Sequence, residues 1–442
     1  MKVYLKTILI LIFSGTLSNL GFCQVQLPQT PSPSSFQILN PSQNVVGTNT
    51  GTPINFTTPA NGLAVYEKDK KLVEQQEIQR NQIYSDLKAD LINYSLPGYN
   101  HIESTKYYRE AYNKLTELDE TDFSIEKATF IIENAYFEDQ QNYEEFNEVV
   151  NQTGDFLREK MNDLGYDKES NLAKNFMLFQ FFSDTLEIKS KDLKHLPLKY
   201  DFDDYMGIKD WSKMFVSKLL ETGKGQCNSL PRLYLILAEE IGAEAFLSLS
   251  PNHSYIKFRD EEDNWFNVEL TNGMFTTDSS ILQSGFIKSE ALQNEIYMQT
   301  MTSQQLFSLL LVDFAQGYAR KFGYDPFVKK VVDRALKLYP NNINAHMLSS
   351  NYLTMEFEYV AKQIGIDPRN KQELQNIRHF PKAISLLNQV NEQYDKIDNL
   401  GFEFMSPQAY QKWLESLQES KQKQDNQEMK EQFNIKLQPL NK

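Results

Sequence analysis

A thiol placed just ahead of a helical stretch, and a histidine in the strands that follow, are the residues whose types and spacing suit nucleophilic chemistry. Gly223-Lys224-Gly225-Gln226-Cys227 runs into Asn228 to Ile241, where Leu230, Leu233, Leu237 and Ile241 recur at helical spacing. Cys227 is therefore expected at or near a helix N-terminus. There the unpaired backbone N–H groups and the helix dipole favour negative charge, and with it the reactive thiolate. The same N–H groups would hold an oxyanion formed during acyl transfer. Pro231 disfavours helical geometry at Leu230 and lacks a donor, which is tolerated only in a first turn. That too puts the helix start close to Cys227.

A thiolate nucleophile needs a base to relay its proton. Of the five histidines, only His253 falls in the same expected compact unit, on a strand downstream of Cys227. His101, His195, His346 and His379 carry no such pattern. The base in turn needs an acceptor to orient it. In Trp265-Phe266-Asn267-Val268-Glu269, strand alternation puts Trp265, Asn267 and Glu269 on one face. Either Asn267 or Glu269 would fix the imidazole tautomer, and a carboxylate would also stabilise the imidazolium.

Gly225-Gln226-Cys227, then a helix, a strand bearing His253, and Trp265 followed by Glu269 and Thr271 together resemble the transglutaminase-like superfamily, which has a papain-like fold. The resemblance covers about residues 195–290. Members of the superfamily usually carry Asp in the third position. Glu269 departs from that, as do branches that read Asn-x-Glu-x-Thr. The resemblance implies an α+β core, one helix packed on a small antiparallel sheet. It also implies an acyl-thioester at Cys227 formed from an amide of a protein or peptide, resolved by water or by an amine. Catalytic Cys227, His253 and Glu269 or Asn267 would act without a cofactor or metal. The rival expectation is an inactive transglutaminase-like and helical scaffold that binds a protein or a cell-envelope partner.

The elements that must position these residues follow from periodicity. Phe246 to Ser250, His253 to Phe258 and Trp265 to Leu270 are short apolar or alternating runs that read as strands, and Asp260 to Asn264 is a polar hairpin turn. Ahead of them, residues 62–190 read as helical. Leu87, Leu91 and Tyr94 form one stripe; Tyr107, Tyr108, Tyr112, Leu115 and Leu118 form a second; Ala128, Phe130, Ile131, Ala135 and Phe137 form a third, all as helix-on-helix core. The core unit spans 191–295. Residues 296–420 are helical again, and Val332 to Asn341 followed by Asn344-Ala345 resembles the join between tetratricopeptide repeats, with Lys382 to Leu387 opening a partial second copy. These C-terminal helices are the expected seat of a protein partner. Residues 421–442 are rich in Gln and Lys and read as a flexible tail.

At 442 residues the chain is long enough for two or three domains of roughly 100–200 residues. A net charge of −14 and the lack of a basic stripe argue against nucleic-acid binding. Residues 1–23 read as an export signal, with Lys2 and Lys6 ahead of Ile8 to Phe13, so the protein is expected to be exported, periplasmic or secreted. Leu20-Gly21-Phe22-Cys23 also resembles a bacterial lipobox, although Phe22 stands where a small residue is usual. A lipidated Cys23 is thus the one expected route to a membrane. Residues 24–61, rich in Pro, Ser, Thr, Asn and Gln, read as a disordered linker. With Cys23 removed or acylated, Cys227 is the only thiol of the mature folded part, which makes a reactive role the natural question.

Overall fold

The structure is a computed structural model that describes residues 60–89, 91–283, 286–419 and 431. The signal segment, Cys23, nearly all of the linker and most of the tail lie outside the described residues. Where the linker was expected to reach residue 61, Ala60 and Asn61 already belong to the helix Ala60–Ala89. The fold is mostly helical with small sheets, an α+β mixture. Among the described residues no helix is long and apolar enough to cross a membrane.

The helices start where the sequence supplies caps. Ser124 accepts from Lys127 N–H, Asn142 from Glu144 N–H and Ser170 from Ala173 N–H, opening Ile125–Tyr136, Tyr143–Leu164 and Asn171–Ser183. Tyr108, Tyr112 and Leu115 are buried as their stripe predicts, in Thr105–Thr116. The Leu87, Leu91, Tyr94 stripe does not form. The first helix ends at Ala89, Leu91 is 86% exposed in a turn, and Tyr94 packs on buried apolar residues from irregular chain. Likewise, the helical span expected to residue 190 ends sooner, because Leu186–Ile188 pairs with Leu193–His195 as an antiparallel hairpin.

The sheet that matters is a four-stranded antiparallel meander, Phe246–Ser250, His253–Arg259, Trp265–Glu269 and Met274–Thr276 in sequence order. Pro251 and Asn252 close the first hairpin, and Asn252 takes the left-handed φ of 59° that Asn tolerates in tight turns. In the second, Asp260 accepts from the N–H groups of Glu262 and Asn264, which pins the polar turn read from the sequence. One face of the sheet carries Ile256, Phe258 and Val268, all fully buried in the core shared with Ser229–Ile241 and Asn171–Ser183. Burying each contributes about 1.5–3 kcal/mol. Alternation sends His253, Tyr255 and Lys257, together with Asn267 and Glu269, to the other face. Met298 and Met301 N–H groups bond to Leu249 and Leu247 and so cover the free edge of the first strand.

A second core joins Thr105–Thr116 and Ile125–Tyr136 to Ser303–Phe322, Pro326–Leu338, Ile343–Ile364 and Pro381–Asn399. The residues read as a repeat join end Pro326–Leu338, turn through Tyr339 to Asn341 and open Ile343–Ile364, which Asn342 caps. The chain then returns through Phe402 to Ser406, which has no regular structure, into a last helix Pro407–Glu419. Tyr410 and Leu414 of that helix are buried in the core of the sheet unit.

Candidate active site

Cys227 sits in the turn directly before the central helix Ser229–Ile241, and Pro231 is that helix's third residue, inside the first turn. The approach to Cys227 is fixed by several bonds. Lys199–Tyr200 pairs in parallel with Lys224–Gly225, and Asp201 N–H bonds to Gly225 O at 2.9 Å. A Cβ on Gly225 would stand 2.7 Å from Ser229 Oγ and 3.2 Å from Leu230 Cγ, so glycine is required by close approach. Gln226 is fully buried. Its N–H donates to Ser229 Oγ at 2.9 Å and its amide to the carbonyls of Asp201 and Asp204, at 3.2 and 2.8 Å.

His253 opens its strand, and its Nε2 donates to Glu269 Oε2 at 2.7 Å. Glu269 closes the neighbouring strand, and its Oε1 accepts the Thr271 N–H at 2.8 Å. Both side chains are buried. With Nε2 committed to Glu269, Nδ1 is the ring nitrogen left for the thiol. It meets no hydrogen-bond partner, sulfur included, but Cys227 lies close enough to favour the charged ring. Burial opposes the imidazolium. Glu269 and Cys227 together outweigh it and push the His253 pKa up to about 10. Burial likewise opposes the Glu269 carboxylate, but the imidazolium and the Thr271 bonds hold its pKa below the ordinary value.

The sequence offered both Asn267 and Glu269 for orienting the base, with Glu269 at the spacing of an acidic third member. The structure separates them. Asn267 is on the same face, yet its amide donates to Asp278 Oδ1 at 2.8 Å, while Glu269 meets His253. Two of the remaining histidines are held by backbone: His195 Nε2 bonds to Phe181 O at 2.7 Å and His346 Nε2 to Pro340 O at 2.8 Å.

Three further residues belong to the site and were not singled out in the sequence. Ser254 donates through Oγ to the Cys227 carbonyl, tying the turn that carries the thiol to the strand that carries the base. The Tyr410 hydroxyl donates to Cys227 Sγ at 3.8 Å. The Trp413 ring stands edge-on to the His253 ring, with centroids 4.7 Å apart. Tyr410, Trp413 and Leu414 follow i, i+3, i+4 spacing, which signals a helix but not the surface it meets.

Cys227 is the one cysteine among the described residues and is in no disulfide. Its residue is 8% exposed, His253 3% and Glu269 6%. A cavity of about 50 Å³ adjoins His253 and Glu269, walled by Tyr255, Asn272, Trp413 and Leu417. A larger cavity, about 260 Å³, lies among the C-terminal helices beside Lys329, Asp333 and Tyr352 and has no nucleophile paired with a base. Among the described residues, no three His, Cys, Asp or Glu side chains come together as a metal ion would require. Compared with known proteins, the chain matches no family model, no curated protein and no solved structure.

Proposed function

We propose that the chain is an exported cysteine enzyme of the transglutaminase-like kind, acting on an amide of a protein or peptide. The observation that carries this reading is a single buried histidine that reaches Glu269 at 2.7 Å with one ring nitrogen and has Cys227 acting on it as well. A nucleophile, a base and an orienting carboxylate in that relation are what acyl transfer needs. The placement of Cys227 ahead of a helix, followed by a strand with His253 and a strand with Glu269, also supports the proposed fold.

In this reading the Cys227 thiolate adds to the amide carbonyl, and backbone N–H groups at the helix start take up the oxyanion. The C–N bond then breaks as the leaving amine takes the proton from His253, and a thioester remains on Cys227. Water or an amine next attacks the thioester and gives its proton to His253, and the sulfur leaves as thiolate. Glu269 keeps the ring oriented through both steps. The C-terminal helices are the proposed docking face for a protein partner.

Incubation with p-nitrophenyl acetate tests the reading. It should place one acetyl group on Cys227, lose it on Cys227→Ser and slow at least tenfold on His253→Ala. Equal acylation in the His253 variant would overturn it. Adding an amine to the acetylated protein then distinguishes transamidation from hydrolysis by the product formed. A second reading, a scaffold without activity, is favoured by one observation, the burial of the thiol beneath Tyr410. It expects no acetyl group on Cys227, even after the last helix is displaced.

A further inference from the structure

We propose that the helix Pro407–Glu419 is an autoinhibitory strap that must leave the Cys227–His253 pair before a polypeptide carbonyl can reach the sulfur. The proposal rests on the cysteine-enzyme reading above and concerns how that site is regulated.

The two reacting groups are covered by one element. Tyr410 places its hydroxyl 3.8 Å from Cys227 Sγ, and Trp413 sets its ring against the His253 imidazole at 4.7 Å. The two aromatic rings stack on each other, with centroids 5.5 Å apart at 25°. The space that remains beside His253 is about 50 Å³, room for a few water molecules at about 10–15 Å³ each. An amide within a polypeptide does not fit there.

The strap is built to move as a unit. It is the last helix of the described residues, it follows the irregular stretch Phe402 to Ser406, and its outer positions Gln411, Lys412, Glu415 and Ser416 are exposed. Two amides grip it from the sheet turns: Asn252 Nδ2 donates to Met405 O at 3.3 Å and Asn272 Nδ2 to Leu417 O at 3.2 Å. Both bonds are at the ends of the segment, and the middle is held by Tyr410, Trp413 and Leu414. Upstream, Gly401 has a φ of 90°, and a Cβ there would meet Ala291 N at 2.3 Å, so the point from which the strap departs is fixed. A partner that takes up the apolar face of this helix would therefore uncover the thiol without unfolding the sheet.

Lys412→Pro in the full chain provides the test. Lys412 is exposed, so the change removes no buried contact, while proline in a helix interior breaks the helix between Tyr410 and Trp413. Alkylation by iodoacetamide, followed on the peptide containing Cys227, should be at least tenfold faster than in the parent protein. A synthetic peptide of residues 403–419 added in excess should slow it again. Trp413→Ala should give an intermediate rate. Unchanged rates would overturn the strap, and so would an acceleration that the peptide does not reverse, because that is loosening of the fold. Adding His253→Gln to the Lys412→Pro chain separates the two proposals. Fast labelling that ignores His253 leaves the strap standing and removes the enzyme.

Discussion

Glu269 accepts the Nε2–H of His253 at 2.7 Å with both side chains buried, so this carboxylate does more than Cys227 to keep the ring charged. Asn267 lies on the same strand face and turns its amide to Asp278 instead. Glu269→Gln should therefore move the pH at which Cys227 becomes alkylated upward by roughly 1–2 units, because the imidazolium that favours the thiolate loses its counter-ion. Asn267→Ala should leave that pH in place. A profile that shifts with Asn267 and not with Glu269 would reverse the assignment.

The same pair gives stability a pH dependence whose sign is fixed by the two shifts. His253 is raised from 6.5 to about 10 in the fold, so its contribution is whole below pH 6.5 and is lost as pH rises toward 10. Glu269 is held below 4.5, so its contribution is present above pH 4.5 and is lost as pH falls below it. The urea midpoint of the protein should exceed that of His253→Gln by most between pH 4.5 and 6.5, and the gap should narrow from 6.5 to 10. A constant gap would mean that the ring titrates alike in the folded and the unfolded chain.

Breaking the pair from the other side should be costly. Glu269→Gln should destabilise the fold by about 3 kcal/mol at pH 6, near the low end for splitting a buried ion pair, since the ring can release its proton. Urea unfolding measures it. A loss below 0.5 kcal/mol would place the pair in solvent.

Gly225→Ala should cost about 1–3 kcal/mol, because the added methyl meets Ser229 Oγ at 2.7 Å and Leu219 Cδ1 at 3.1 Å. Ser229 has little freedom to retreat, since its hydroxyl accepts the Gln226 N–H. Gly98→Ala has open space around it and should stay within about 0.5 kcal/mol, which makes it the control.

Ser254 holds the Cys227 carbonyl, so Ser254→Ala should cost about 1 kcal/mol and also slow acetylation of Cys227. Ser254→Thr keeps the hydroxyl and suits a strand, and should restore the rate. An Ala variant with lowered stability but an unchanged acetylation rate would make Ser254 structural only.

Much of the sheet unit was legible because its signals are local. The helical spacing from Leu230 to Ile241 and the alternation around Phe258 and Val268 reflect a single apolar surface on each element. The strand Met274–Thr276 was missed because three residues after a Thr-Asn-Gly turn carry no period of their own. Leu91 and Tyr94 misled for another reason: Leu91 is exposed in a turn and Tyr94 packs from irregular chain, so helical spacing there belongs to no helix.

By itself the sequence determined the local conditions for chemistry: a thiol ahead of a helix, one histidine on a following strand, and two candidate acceptors on one strand face. Each depends on backbone periods of 3.6 or 2 residues. Which acceptor meets the ring was decided by strand register, since residues two apart on a strand are separated by nearly 7 Å and only one can reach. That Tyr410 and Trp413 lie over Cys227 and His253 was decided by tertiary structure alone. Contacts between segments so far apart in the chain are chosen by the shape and apolar area of both surfaces, and neither is written in the sequence near Cys227.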